Sequence, residues 1–283
     1  PLRFVVRPPV EQLLGLMPAH RGGDAPLFSL KEIVIAPGNA ARGLDPHQGA
    51  VLLHDGSTGR LEAVLDASAI TEIRTAAVSA LATRLLARPG ARRVAILGSG
   101  VQARSHVIAM QEVLDEPELR IWSRTEAHAE ALALECHGIV CATVEEALDG
   151  ADVVCTCTAA REPIVRRAWL APGTHVNAVG SSVPSARELD ADVIATAALF
   201  VDRRESTLNE SGDYLGAVAE TGIGPDHILA ELGELLTGSA QGRTTPDELT
   251  VFESLGLAVE DLAAAELCVA RARAAGIGSV VPF

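Results

Sequence analysis

The chain has 283 residues, 48% of them hydrophobic, enough to bury the cores of two domains or of one large domain with an insertion. Its 37 acidic residues outnumber 23 basic ones, for a net charge of −14, which excludes a nucleic-acid backbone or an anionic membrane surface as the main partner. A few local arginines can still hold a small anion. No run approaches the roughly 18 apolar residues of a membrane span, and no signal peptide is recognised. Because the chain starts at Pro1 and enters a strand-like run at once, an N-terminal piece is expected to be absent from this numbering.

Residues 1–65 read as short strands: Leu2–Arg7, Leu13–Met17, Phe28–Ile35, Ala50–His54 and Leu61–Leu65. They are punctuated by Pro8-Pro9, Pro37-Gly38 and Asp55-Gly56, the spacing of an antiparallel meander. Alternation puts Lys31 on the face of Ile33 and Ile35, while Leu30, Glu32 and Val34 share the other. A lysine beside isoleucines has cause for a depressed pKa and a part in proton transfer. Taken alone, however, Lys31 reads more readily as a surface residue of an edge strand. Arg3, in Leu2-Arg3-Phe4-Val5, is equally open.

A helix follows from about Ala69 to Ala87 and stops at Pro89-Gly90. On it Arg74 shares an apolar stripe with Val78, Leu81 and Leu85. An arginine on a buried face is costly unless an anion meets it. Ile70 lies one turn earlier and no acid one turn later, so a ligand carboxylate, bound bidentately, is the expected partner. A salt bridge to a remote Asp or Glu is the alternative.

From Arg92 onward strands and helices alternate. Strand Val94–Leu97 is followed by a glycine turn and a helix to about Val113, then by strand Leu119–Trp122, helix Glu126–Glu135 and strand Ile139–Ala142. The pattern continues through Val144–Leu148, Val153–Thr156, His175–Val179 and Leu199–Val201. Such βαβ alternation predicts an α/β fold, a doubly wound parallel sheet of Rossmann type. Leu249 to Ala275 reads as one Ala-rich helical region without a strand signal. The five cysteines, Cys136, Cys141, Cys155, Cys157 and Cys268, match neither zinc nor C-x-x-C spacing. They are read as buried strand residues in a reducing, cytoplasmic setting, with no metal site.

Gly98-Ser99-Gly100-Val101-Gln102-Ala103 follows a strand and opens a helix, the context that a dinucleotide-binding G-x-G-x-x-A turn requires. The first glycine permits the turn, the second lets backbone approach a pyrophosphate, and the helix N-terminus supplies N–H donors. The next strand ends in Ser123-Arg124-Thr125, where an NAD-selective fold places an acid for the ribose 2′-hydroxyl. An arginine and hydroxyls there suit a 2′-phosphate, so NADP(H) is favoured over NAD(H).

Taken together these segments resemble the ornithine cyclodeaminase/mu-crystallin family. The likeness runs from Pro1 to about Ala275 through Leu14–Ala19, Pro37-Gly38-Asn39, Ile73–Ala77, Gly98–Ala103, Asn177–Ser181, Glu210–Asp213 and Ser254–Asp261. It implies a Rossmann domain over residues 89–261. Residues 1–88 with 262–283 would form a substrate-binding and dimerisation domain, and the protein a homodimer. It implies that Arg3, Lys31 and Arg74 match the family's substrate-site arginine, lysine and arginine. Thr75 would touch the pyrophosphate, and Thr158, Val179, Gly180 and Ser181 would line the cofactor. Cyclodeaminases resemble one another in an aspartate just after the Val-Gly-Gly equivalent; here that stretch reads Val179-Gly180-Ser181-Ser182-Val183-Pro184, without an acid.

The expected activity is therefore NAD(P)H-dependent reduction of the C=N bond of a small, cyclic imine carboxylate, or the reverse oxidation of an amino acid. That places the chain nearest the family's NADP(H)-dependent ketimine reductase branch. Arg74 and Arg3 would clamp the carboxylate and Lys31 would support proton transfer. Ornithine cyclodeamination and an alanine-dehydrogenase-like activity are the rivals on the same scaffold; a non-enzymatic cofactor binder is the rival from another class.

Overall fold

The computed structural model describes residues 4–6, 11–45 and 47–282. The chain forms two compact units, Pro1–Arg74 with Leu257–Phe283, and Thr75–Gly256.

In the first unit β1 (Phe4–Val6), β2 (Leu13–Arg21), β3 (Leu27–Ile35), β4 (His47–Asp55) and β5 (Leu61–Asp66) form an antiparallel meander in chain order. Lys31 pairs with Met17 on β2 and Val51 on β4, so β3 is an interior strand and Lys31 is 2% exposed. This corrects the edge-strand reading. Lys31 shares the face of Ile33, as alternation expects; that face is buried, and β2 and β4 take up both edges of β3.

Asp66 ends β5 and its carboxylate accepts the Ala69 N–H at 2.8 Å, which starts α1 (Ala67–Leu86). Met17 and Ala19 pack against Ala258 and Leu262 of the C-terminal helix, Ala258–Ala275. Val51, Ala67 and Ile70 pack against Ala265 of the same helix. Small side chains let helix and sheet approach closely.

The second unit runs β6 (Arg93–Leu97), α2 (Val101–Val113), β7 (Glu118–Trp122), α3 (Glu126–Cys136), β8 (Ile139–Val140), α4 (Val144–Leu148), β9 (Val153–Thr156) and β10 (His175–Ala178). It continues with α5 (Ala191–Thr196), β11 (Ala198–Val201), α6 (Arg204–Glu210), α7 (Gly212–Thr221), β12 (Ile228–Glu231), α8 (Leu232–Leu236) and β13 (Thr250–Glu253), after which the C-terminal helix is α9. The parallel strands lie in the order β12-β11-β13-β10-β9-β6-β7-β8. Ala95, Leu97, Val154, Val176 and Val251 face α4, α5 and α7; Val94, Ile96, Val153 and Cys155 face α2 and α3. Both faces are covered, which is why the strands are continuous apolar runs. The doubly wound α/β class predicted from the alternation is the class observed.

Several segments differ from expectation. Residues 249–275 are not one helix: Thr250–Glu253 is a strand paired on both sides, with β10 and β11, and only Ala258 onward is helical. Val144–Leu148, by contrast, continues the alternation as a helix, opened by Thr143 Oγ1 accepting from Glu146 N at 3.0 Å. The compact units meet at 74/75 and 256/257. Ile70 of α1 joins the first core, whereas Ala82 and Leu86 join Phe200 and Phe252 in the second. Cys155 is a buried strand residue, but Cys268 is exposed on α9. Among the described residues no helix is long and apolar enough to cross a membrane.

Candidate active site

The sheet order reverses between β6 and β9, and the Gly98 turn leaves the C-terminal end of β6 at that point. Ligands of open α/β sheets bind at such a switch point. Gly98 has φ +123°, and a Cβ there would collide with the Cys157 carbonyl, so only glycine fits. Gly100, the N-cap of α2, offers no side-chain cap, and a Cβ built on it would meet nothing within 4 Å. Open space before an uncapped helix N-terminus is the cradle a pyrophosphate requires, so the turn fits a dinucleotide. Val101 is exposed and Gln102 half-buried behind it.

Ser99 and Ser123 hydroxyls lie 2.9 Å apart and tie the turn to the end of β7. Arg124 is exposed and has no ion pair among the described residues; Thr125 is the N-cap of α3. Thr75 lies buried on α1.

A second part of the site surrounds Glu188. Its Oε1 accepts from Thr158 N at 2.7 Å and Thr158 Oγ1 at 2.6 Å, and its Oε2 accepts from Gly180 N at 2.7 Å. One buried carboxylate thus pins the loops that follow β9 and β10. At Gly180 a Cβ would collide with the Thr158 carbonyl and with Glu188. Val179 is buried beside it, and the buried Ser181 donates to Glu253 Oε2 at 3.1 Å. Burial pushes the Glu188 carboxyl up, with the Thr and Gly donors opposing. Burial and the neighbouring Glu188 push Asp213 up to about 7. Sequence reading missed Glu188 and Glu253. Asp213 belongs to the Glu210–Asp213 segment, but nothing local in the sequence marks it as buried.

The first unit carries the cations. Arg3 lies outside the described residues. Lys31 Nζ donates to Asp261 Oδ1 at 2.8 Å and to Thr71 Oγ1 at 3.1 Å. Arg74 Nε donates to the same Asp261 Oδ1 at 3.1 Å, and its Nη1 to Glu260 Oε2 at 2.8 Å. Arg74 therefore has protein partners, and the expectation that only a ligand carboxylate met it is corrected. The acids come from α9, nearly 190 residues away in sequence, where no one-turn argument reaches. Burial lowers the Lys31 pKa to about 8, with the Arg74 charge adding to the fall and Asp261 and Glu260 opposing it. A lysine with that pKa both holds and releases a proton near neutrality.

Residues 2–276 match the ornithine cyclodeaminase/mu-crystallin family. The chain belongs to that family. The ketimine reductase mu-crystallin of Mus musculus is 45% identical over 272 residues, covering 94% of this chain and 83% of that protein. The solved Delta(1)-pyrroline-2-carboxylate reductase of Thermococcus litoralis, in complex with NADH and L-proline, superposes with a TM-score of 0.92. It is 34% identical and covers 99% of this chain and 89% of that one. An archaeal alanine dehydrogenase dimer with bound NAD has a TM-score of 0.93 at 31% identity, over 100% and 88% of the two chains.

Within this ornithine cyclodeaminase/mu-crystallin chain, Ser182 is half-buried two residues beyond Gly180, and no acid lies from Val179 to Arg187. Among the described residues no cluster of His, Cys, Asp and Glu could hold a metal ion.

Proposed function

We propose that the chain is an NAD(P)H-dependent oxidoreductase that reduces the C=N bond of a small cyclic imine carboxylate, or oxidises the corresponding amino acid. The observation that carries this reading is Lys31, the one lysine among 23 basic residues. The other 22 of these are arginines, which do not give up their proton in proteins. The chain keeps its one lysine buried, 2% exposed, against the guanidinium of Arg74.

Arg74 binds the substrate carboxylate, its planar fork matching the two oxygens. Lys31 delivers a proton to the imine nitrogen and is recharged from solvent; in the oxidative direction it accepts that proton. Asp261 and Glu260 already pair with Lys31 and Arg74, and an arriving substrate carboxylate adds a further negative charge that helps keep Lys31 protonated. Arg3 is the second arm of the clamp. The dinucleotide supplies the hydride when bound; Gly98 to Gln102, with Thr75, cradle its pyrophosphate, while Thr158 and Val179 to Ser181 hold its other end.

Ser123, Arg124 and Thr125 favour NADP(H). What supports this is the exposed, unpaired Arg124 in place of an acid. NAD(H) is the specific alternative, because the two solved relatives hold NADH and NAD. A homodimer is part of the reading, supported by the dimeric alanine dehydrogenase relative and by Phe4, Phe28 and Val64, exposed on the first unit's sheet. So is the cytoplasm, supported by free cysteines.

The test is NADPH oxidation, followed by absorbance, with five- and six-membered cyclic imine carboxylates, run beside an assay for ammonia and proline from ornithine. Turnover of an imine with little or no proline from ornithine is expected, since Ser182 supplies no charge to activate the amines. Robust redox-neutral conversion of ornithine to proline would overturn it.

A further inference from the structure

Asp261 stands in the first turn of α9 and its side chain is fully buried. A structural acid in a helix's first turn satisfies that helix's own N–H groups. Asp261 does otherwise. Its Oδ1 carries both cations of the site, Lys31 Nζ at 2.8 Å and Arg74 Nε at 3.1 Å, and its buried Oδ2 has no hydrogen-bond partner among the described residues. The adjacent Glu260 takes only the far end of the guanidinium, at Nη1.

We infer that Asp261 is a positioning residue of the reduction: its single oxygen Oδ1 holds the proton donor Lys31 and the carboxylate-binding Arg74 at one fixed separation. This rests on the reductase reading above. The substrate links the two functions through one carbon, because the carboxylate that Arg74 binds sits on the carbon double-bonded to the nitrogen that Lys31 protonates. The two cations must keep matching positions, and two like charges that share no anion repel. An acceptor common to both offsets part of that repulsion and leaves the outer guanidinium edge, now on Glu260, for the ligand.

The charge of Asp261 also holds Lys31 protonated. The groups facing Lys31 are Thr71 and Arg74 from α1, Asp261 and Glu260 from α9, and His47 from β4. Burial and Arg74 drive its proton off; Asp261 opposes them more strongly than Glu260 does.

The single lysine makes the test direct. Lysine labelled with 13C at Cε yields one side-chain signal, titrated by NMR in the intact chain. In the native protein its midpoint is expected at about 8. In Asp261→Asn, which keeps an acceptor and loses the charge, the midpoint should fall by about one pH unit or more. The alkaline limb of the kcat profile for the cyclic imine carboxylate should move by the same amount.

Asp261→Glu keeps the charge and displaces it by one methylene. Its Lys31 midpoint should stay within about half a unit of the native value while KM for the imine carboxylate rises at least about fivefold. A folded Asp261→Asn whose midpoint and alkaline limb both stay put overturns the inference. Should Asp261→Asn not fold, an unchanged KM in Asp261→Glu overturns it. If the native chain reduces no imine, the reductase reading fails on its own, and the NMR midpoints still report whether Asp261 governs Lys31.

Discussion

Glu188 offers the sharpest test of how the cofactor side is built. Its carboxylate is the acceptor for two backbone N–H groups and one hydroxyl, at Thr158 and Gly180, and no solvent reaches it. Glu188→Ala strands those donors. Leaving two buried N–H groups unsatisfied costs about 1–3 kcal/mol each, and losing the one buried Cγ methylene adds about 0.8 kcal/mol. Removing a carboxyl that burial already disfavours offsets part of this. A net loss of about 2–6 kcal/mol is expected, a large share of an ordinary domain's stability. Glu188→Gln keeps the shape, and one amide oxygen can still serve one loop. Its NH2 must face a backbone N–H of the other, so roughly half of the loss should appear. Because Thr158 and Gly180 stand where the dinucleotide is proposed to lie, the affinity for NADPH should fall in the same order, tenfold or more in the alanine variant. Urea unfolding gives the stability and quenching of NADPH fluorescence gives the affinity. An alanine variant within about 1 kcal/mol of the parent, binding NADPH within about twofold, would refute the reasoning.

Arg124→Ala should narrow the preference for NADPH over NADH by about 1–3 kcal/mol, the worth of a charge-assisted hydrogen bond; equal affinities in the unsubstituted chain at moderate salt count against the assignment. His106 is buried neutral, its ring bonded to Gln102 O at 2.7 Å and to Ser79 Oγ at 2.8 Å, and burial drives its pKa from 6.5 to about 4. A base with a depressed folded pKa binds its proton in the unfolded chain first, so stability is lost as pH falls from 6.5 toward 4. Between pH 7 and 5 this amounts to about 2 kcal/mol. His106→Gln should therefore show a smaller drop in urea midpoint over that interval, and an unchanged drop would exclude His106 as the source.

The parts of the fold legible in sequence were those whose causes are local. Gly98 to Ala103 announced its turn because strand, glycines and helix are contiguous. The meander announced itself through Pro and Gly at regular spacing. Lys31 was half-legible: alternation put it with Ile33, but nothing local showed that β2 and β4 flank β3. Thr250-Val251-Phe252-Glu253 carries no strand signal in sequence because four residues show no period and polar Thr250 and Glu253 flank only two apolar residues. The acids of Lys31 and Arg74 were invisible for the opposite reason. Asp261 lies 230 positions from Lys31, and only the packing of α9 on the sheet brings them together. Glu188 looked like an ordinary charged loop residue until its three donors were seen.

The place of β13 bears on how the second unit comes into being. It is the last strand of the chain, yet it is inserted between β10 and β11, in the interior of the eight-stranded sheet. Until residue 253 has left the ribosome, β10 and β11 each present a bare row of N–H and C=O groups where their neighbour belongs. Folding of the unit during synthesis therefore waits for nearly its whole length, and nascent chains arrested before Thr250 carry two sticky parallel edges rather than a finished half.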